Sequence, residues 1–264
     1  MDTFIETKLK EYKGVLRAIP GLVTALFIMS CILMNLLANK ELYRSDYICI
    51  NSGLVLSWVS FLCMDTVCKR FGAKAAIELN IVAMTINILA AIMFKVCTLF
   101  PGHWAMYFSA PDPITGEYIN SSLNATFGGT WYVVVGSATA MLVSGIINSL
   151  LNAKIGEASD DGSFKGFAIR SYISTMVAQW FDNFIFSAMV SHVFFGWNWT
   201  QVICCATTSM IFELVIEAIF SPVGYRISKN WEYEHVGEDY LRRLRGDVDE
   251  TRKIIRVRAR KAGK

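Results

Sequence analysis

Seven charged residues stand in, or at the ends of, segments that are otherwise apolar enough for lipid: Asp65, Glu78, Lys95, Arg170, Asp182, Glu213 and Glu217. An ionisable group at depth in a bilayer persists only when it is paired or lines a wet cavity, so each marks a polar site by default. The carboxylates are the most informative. Glu213 and Glu217 are one helical turn apart, a spacing at which like charges destabilise a helix. In low dielectric one of them must be protonated or paired with a cation. Lys95 and Arg170 are the basic groups within these segments. Helix rise puts them near opposite ends, whereas Asp182 and Glu213 fall closer to mid-depth. No complete internal salt bridge is expected there, which leaves room for a bound polar molecule or a proton. Asp65, four residues before Lys69, reads equally well as half of a surface ion pair.

The uncharged polar residues share helical faces with these groups. At 100° per residue Ser171, Thr175, Ala178, Gln179 and Asp182 lie on one face, with Trp180 and Phe184 on another. Glu213 and Glu217 align with Ser209 and Ala206. Asn35 pairs with Asn39 at i, i+4. Asn80, Asn87 and Lys95 form one further stripe, and Ser137, Ser144, Asn148 and Asn152 another. The segment of the last stripe also carries Gly136, Ala140 and Ser144 at i, i+4, i+8, a ridge of small residues that lets helices approach closely. For any single Asn or Ser, a hydrogen bond between helices is the plain alternative to ligand binding.

The elements that must position these residues are membrane-spanning helices. The 264 residues are 54% hydrophobic and 18% charged, against about 25% charged in soluble domains. Charge-free runs cover 18–39, 47–64 and 118–153, and a span needs about 20 mostly apolar residues. Six spans are predicted, near 19–39, 47–65, 77–100, 128–153, 168–196 and 199–225. Lys and Arg are concentrated in the N-terminal segment, in the loops after spans 2 and 4, and in the tail from Arg226, so both termini are expected in the cytoplasm. The expected division is an N-terminal segment 1–17, a transport domain 18–225 and a basic tail 226–264. Residues 101–127, rich in turn formers, read as a connector or a lid. The tail reads as a soluble helix near Glu238–Val257 with a basic end suited to anionic lipid, and no nucleic-acid recognition motif is present.

Several classes of chemistry are excluded by motif. The seven cysteines form no CxxC pair and have no histidine at zinc-ligand spacing, so neither a metal nor another cofactor is expected. Hydrolase and metalloprotease signatures are missing, and so is a P-loop, which means that any ATP use must come from a partner. A channel would call for a filter loop or rings of like charge.

Four stretches resemble the queuosine-precursor transporter family, also called the vitamin uptake transporter family. They are Asn35-Leu-Leu-Ala-Asn39-Lys40; Asp65-Thr-Val followed by Phe71-Gly72-Ala73-Lys74-Ala75-Ala76; Arg170-Ser-Tyr-Ile-Ser174-Thr175 with Gln179, Asp182 and Phe186; and Pro222-Val-Gly-Tyr225. The resemblance implies an all-α integral membrane protein, similar to the substrate-binding subunits of energy-coupling-factor transporters. It implies import of 7-deazaguanine precursors of queuosine across a bacterial plasma membrane to feed tRNA modification; the alternative is a substrate-capture subunit for another small heterocycle, driven by a separate coupling ATPase module. Asn35, Asp65, Arg170, Ser174, Gln179 and Asp182 match motif positions of the family. Glu213 stands where many members carry Lys, and the family's acidic position in the fourth helix is Asn148. The full set of expected substrate-binding residues is Asn35, Asp65, Ser174, Thr175, Gln179, Trp180, Asp182, Glu213 and Glu217. A carboxylate accepts the parallel N1–H and 2-amino donors of a 7-deazaguanine, and Trp180, Phe181, Trp131 and Tyr225 are aromatic faces that could stack its ring.

Overall fold

The computed structural model describes residues 12–102, 104, 119–159, 164–243 and 246. The described chain is mostly helical. Helix α1 (Tyr12–Ala18) and helix α2 (Gly21–Leu37) meet at a 112° bend, at the break that contains Pro20. An antiparallel hairpin follows, β1 (Glu41–Arg44) with β2 (Cys49–Asn51), pairing Glu41 with Asn51 and Arg44 with Cys49. A 3-10 turn (Ser52–Leu56) leads into α3 (Ser57–Phe71), α4 (Ala73–Leu99), α5 (Ile119–Ser159) and α6 (Phe164–Phe186). The α6 backbone continues as a π-helix, Ser187–His192, before α7 (Trp199–Tyr233). Residues 238–243 form a last helical segment.

Four helical stretches are long and apolar enough to cross a membrane: Ser52–Phe71, Ala73–Leu99, Ser121–Ile147 and Trp199–Phe220. Counting the bent α1–α2 pair as one span makes five. Their surfaces agree with that reading. Helix α4 exposes Ile88, Leu89, Ile92, Met93 and Val96, and α7 exposes Ile203, Ile211, Phe212, Val215 and Ile219. Apolar faces of this extent call for hydrocarbon around them. Inside each helix the backbone bonds to itself, as a lipid environment requires. The chain is therefore a multi-pass membrane protein.

Three boundaries differ from the sequence expectation. Residues 47–51 belong to the hairpin and not to the second span, because a short apolar run has the same hydropathy as a strand or as a helix start. Pro222 lies inside α7, which continues to Tyr233. A proline there removes one backbone bond without ending the helix when the flanking turns hold. Residues 119–127, assigned to the loop, form the first turns of α5. The remainder of that loop, 105–118, lies outside the described residues, as does the tail beyond Gly246.

Two compact units emerge, one of residues 1–27, 60–83 and 220–264, the other of 28–59 and 84–219. In the first, Arg70 donates to the Val236 carbonyl from Nε and Nη2 at 3.2 and 2.9 Å, and Phe71 packs against Trp231 and Tyr240 at 6.0 and 6.3 Å. Gly72, at φ +86°, ends α3 by taking a left-handed conformation. Glu78, one of the seven conspicuous charges, is buried and faces Lys74 at 3.9 Å.

The second unit is organised around α5 and α6. Gly136 of the small-residue ridge faces Val190 of the π-helix, and Ala140 is 1% exposed. Asn39 ties the end of α2 to α5: it donates to Thr130 Oγ1 at 3.3 Å and accepts from Tyr132 Oη at 2.7 Å. Gly53 lets the 3-10 turn pass against α2, since an added Cβ would stand 2.6 Å from the Met34 carbonyl oxygen.

A backbone oxygen cannot move aside as a flexible side chain does. Gly53→Ala is expected to destabilise the purified protein by about 1–3 kcal/mol, the usual cost of overpacking. Gly145→Ala, whose added Cβ would meet nothing within 4 Å, is expected to be neutral or mildly stabilising in the same thermal melt.

Candidate functional site

Within the second unit lies a partly open cavity of about 140 Å³. Helix α2 contributes Asn35, α5 contributes Ser137, α6 contributes Asp182, Asn183 and Phe186, and α7 contributes Cys205, Ser209 and Glu213. The hairpin and 3-10 turn add Cys49, Asn51 and Gly53, and Trp197 enters from the turn between the π-helix and α7. No Lys or Arg is among the described lining residues.

The two carboxylates are each held by a hydrogen-bond donor. Ser144 Oγ donates to Asp182 Oδ1 at 2.8 Å, bridging α5 and α6. Asn183 Nδ2 donates to Glu213 Oε2 at 2.9 Å, bridging α6 and α7, and also to the Gln179 carbonyl at 3.0 Å. Bonds to charged groups are the stronger kind, which compensates part of the cost of desolvation. Asn183 was not singled out from the sequence. Its signal was present: it stands at i+4 from Gln179, on the edge of the polar face of α6.

The other expected residues have diverse placements. Asn35, Asp182 and Glu213 line the cavity together. Gln179 contributes its carbonyl to Asn183, and its side-chain Oε1 is buried with no hydrogen-bond partner among the described residues. Trp180 donates to Thr207 Oγ1 at 3.1 Å and stacks on Phe184 at 5.1 Å, tying α6 to α7 outside the lining. Trp131 packs edge-on against Tyr132 and Phe194. Thr175 and Phe181 are not lining residues either, and the aromatics of the cavity are Phe186 and Trp197. The side chains of Asp65, Arg170, Ser174 and Glu217, and those of Asn148 and Asn152, lie outside the described residues.

The hairpin is fastened to the π-helix–α7 turn by polar bonds. Trp197 Nε1 donates to Glu41, and Arg44 donates to the Phe195 and Gly196 carbonyls at 3.1 and 3.3 Å. Gln201 Nε2 donates to the Ser45 carbonyl at 2.6 Å. Asn198 and Gln201 cap the start of α7 reciprocally, each side-chain oxygen accepting from the other's backbone N–H at 2.8 and 2.9 Å. The Cys49 N–H donates to Cys205 Sγ at 2.9 Å, so the strand that brings Asn51 to the cavity is docked on α7. This docking predicts a local opening. Trp197→Phe keeps an aromatic ring in place but removes the indole N–H that donates to Glu41, along with the five-membered ring that carries it. The buried Cys49 is then expected to react with maleimide roughly tenfold faster, as loss of about 1.5 kcal/mol implies, while the exposed Cys97 keeps its rate. Equal Cys49 rates would mean that this bond does not hold the hairpin.

The profile of a family described as "Putative vitamin uptake transporter" matches residues 51–227, more than half of the chain. No curated protein and no solved structure matches.

Proposed function

The chain belongs to the vitamin uptake transporter family, and from that premise we propose that it imports 7-deazaguanine precursors of queuosine for use in tRNA modification. The observation that carries the reading is the pairing of Asp182 on α6 with Glu213 on α7 around one cavity lined by no described basic side chain. The N1–H and 2-amino donors of a 7-deazaguanine match one carboxylate as a bidentate acceptor. The amine of the aminomethyl precursor, or of queuine, is cationic near neutrality and suits the second. Asn35, together with Asn51 and Ser57 of the lining, supplies amide and hydroxyl groups for the remaining polar edge. Of the other expected substrate-binding residues, Thr175, Gln179 and Trp180 stand off the lining and support its walls in this proposal, and Asp65, Ser174 and Glu217 remain in it as substrate-binding residues.

The same proposal includes the topology. Six spans, with α2 and the α6–π-helix segment joining the four apolar helices, place both termini in the cytoplasm of a bacterial cell, with residues 18–225 as the transport domain and 226–264 as a basic tail at the membrane surface. Uptake is not enzymatic in this reading, and it needs no cofactor and no nucleic acid. The chain has no P-loop, so an ATP-driven version of the cycle requires a separate coupling ATPase.

A second reading is supported by size. An engineered cavity of about 150 Å³ takes a benzene-sized guest, and the cavity here is about 140 Å³. A capture subunit for a smaller heterocycle would fill this volume, whereas a 7-deazaguanine would extend into the open side of the cavity.

Uptake decides between them. A queuosine-deficient bacterial strain expressing this protein is supplied with the cyano precursor, the aminomethyl precursor or queuine, and queuosine is read in tRNA. Restored queuosine at low precursor concentration is expected, with preference for the cationic compounds. Asp182→Asn and Glu213→Gln are each expected to lower uptake by at least about tenfold, as loss of a charge-assisted bond implies. Near-normal uptake in both amides would sink the site assignment. A reporter fused after Lys264 is expected to be active only when it functions in the cytoplasm.

A further inference from the structure

We propose that Asn183 sets the ligand specificity of this cavity, by presenting an acceptor oxygen to the bound molecule; the proposal rests on the reading of the cavity as the substrate site. The orientation of the amide follows from its neighbours. A backbone carbonyl can only accept, so the Asn183 atom 3.0 Å from the Gln179 carbonyl is the nitrogen. The second hydrogen of that nitrogen points to Glu213 Oε2 at 2.9 Å. Both donors of the amide are therefore committed to the protein, and Oδ1 is what remains for a ligand.

The same holds for its neighbour on the lining. Asp182, with Oδ1 engaged by Ser144, is an acceptor when ionised. Two acceptor groups from consecutive residues of α6 thus line one cavity. A ligand that sets adjacent N–H groups against them satisfies both. A ligand with a carbonyl at the same place sets lone pair against lone pair and leaves buried acceptors unsatisfied, the kind of mismatch that sites built for hydrogen bonding reject most strongly.

Elsewhere on the lining the polarity reverses. Asn51 Oδ1 accepts the Leu54 N–H at 3.3 Å, so the amide nitrogen of Asn51 is left as a donor for the ligand. The class that fits both features has N–H donors side by side on one edge and a carbonyl acceptor on another. A 2-amino-4-oxopyrimidine, alone or fused to a second ring, has this arrangement.

The test uses single-ring probes, small enough for the cavity without rearrangement: 2-aminopyrimidin-4-one, and uracil, in which a carbonyl acceptor replaces the 2-amino donor. Binding to the purified full-length chain in detergent is measured by ligand-observed NMR, with thermal melting of each variant alongside. The wild type is expected to prefer the amino probe by at least about tenfold, the size of one hydrogen-bond mismatch. Asn183→Leu, which removes one of the acceptors, is expected to lower the ratio severalfold. Asn183→Asp loses the same donors to Gln179 and Glu213 but keeps an acceptor, so it is expected to retain the preference. Asn183→Ala replaces the leucine variant in the comparison if the latter melts early. A wild type that binds both probes alike, or neither, overturns the proposal. So does equal loss of preference in the Leu and Asp variants, which would make the amide a structural tie. Preference for the amino probe together with absent precursor uptake would leave the role of Asn183 standing and remove the assignment to queuosine precursors alone.

Discussion

The constraint on which the rest of this structure depends is the cost of a carboxylate in a low-dielectric interior. Asp182 on α6 and Glu213 on α7 line one cavity. Each is met by a donor from a neighbouring helix: Ser144 from α5 for one, Asn183 from α6 for the other. These two bonds also join α5 to α6 and α6 to α7. The polar groups proposed to meet the ligand are thus the same groups that tie three helices together.

The cavity also depends on parts that are not spans. The hairpin brings Cys49 and Asn51, and the turn after the π-helix brings Trp197. Their mutual bonds run through Glu41, Arg44, Ser45 and Gln201. The π-helix begins four residues after Asn183, and π-segments often accompany functional sites because they re-aim the side chains around them. Gly136 makes room for that segment against α5. Discontinuous helices near the substrate are a recurrent feature of transporters, where they allow one wall to move while the others stay packed.

How much of this was legible in the sequence depends on the type of signal. Long apolar helices, and charges set within apolar segments such as Asp182 and Glu213, are anomalies of composition, so they could be read directly. The same holds for Asn35, which lies on the polar face of α2 and reaches the cavity. Asn183 escaped because a stripe drawn through Asp182 passes to one side of it, although its i+4 relation to Gln179 was readable. The hairpin escaped because Tyr47-Ile-Cys-Ile has the hydropathy of a span start. Trp180 belongs to the apolar side of its helix and ties α6 to α7 through Thr207. A π-segment has no composition signature of its own.

The most direct test of the central claim, that a donor-rich heterocycle binds between Asp182 and Glu213, is ligand protection of Cys205. This buried thiol shares the cavity lining with both carboxylates. Alkylation of Cys205 by a small thiol reagent is followed by mass spectrometry in purified protein, with increasing aminomethyl-7-deazaguanine. The expected result is slowed alkylation at Cys205, half-maximal at the concentration that half-saturates uptake, with the exposed Cys97 unaffected. Unchanged Cys205 reactivity at concentrations that saturate uptake would contradict the claim and move the substrate site elsewhere in the chain.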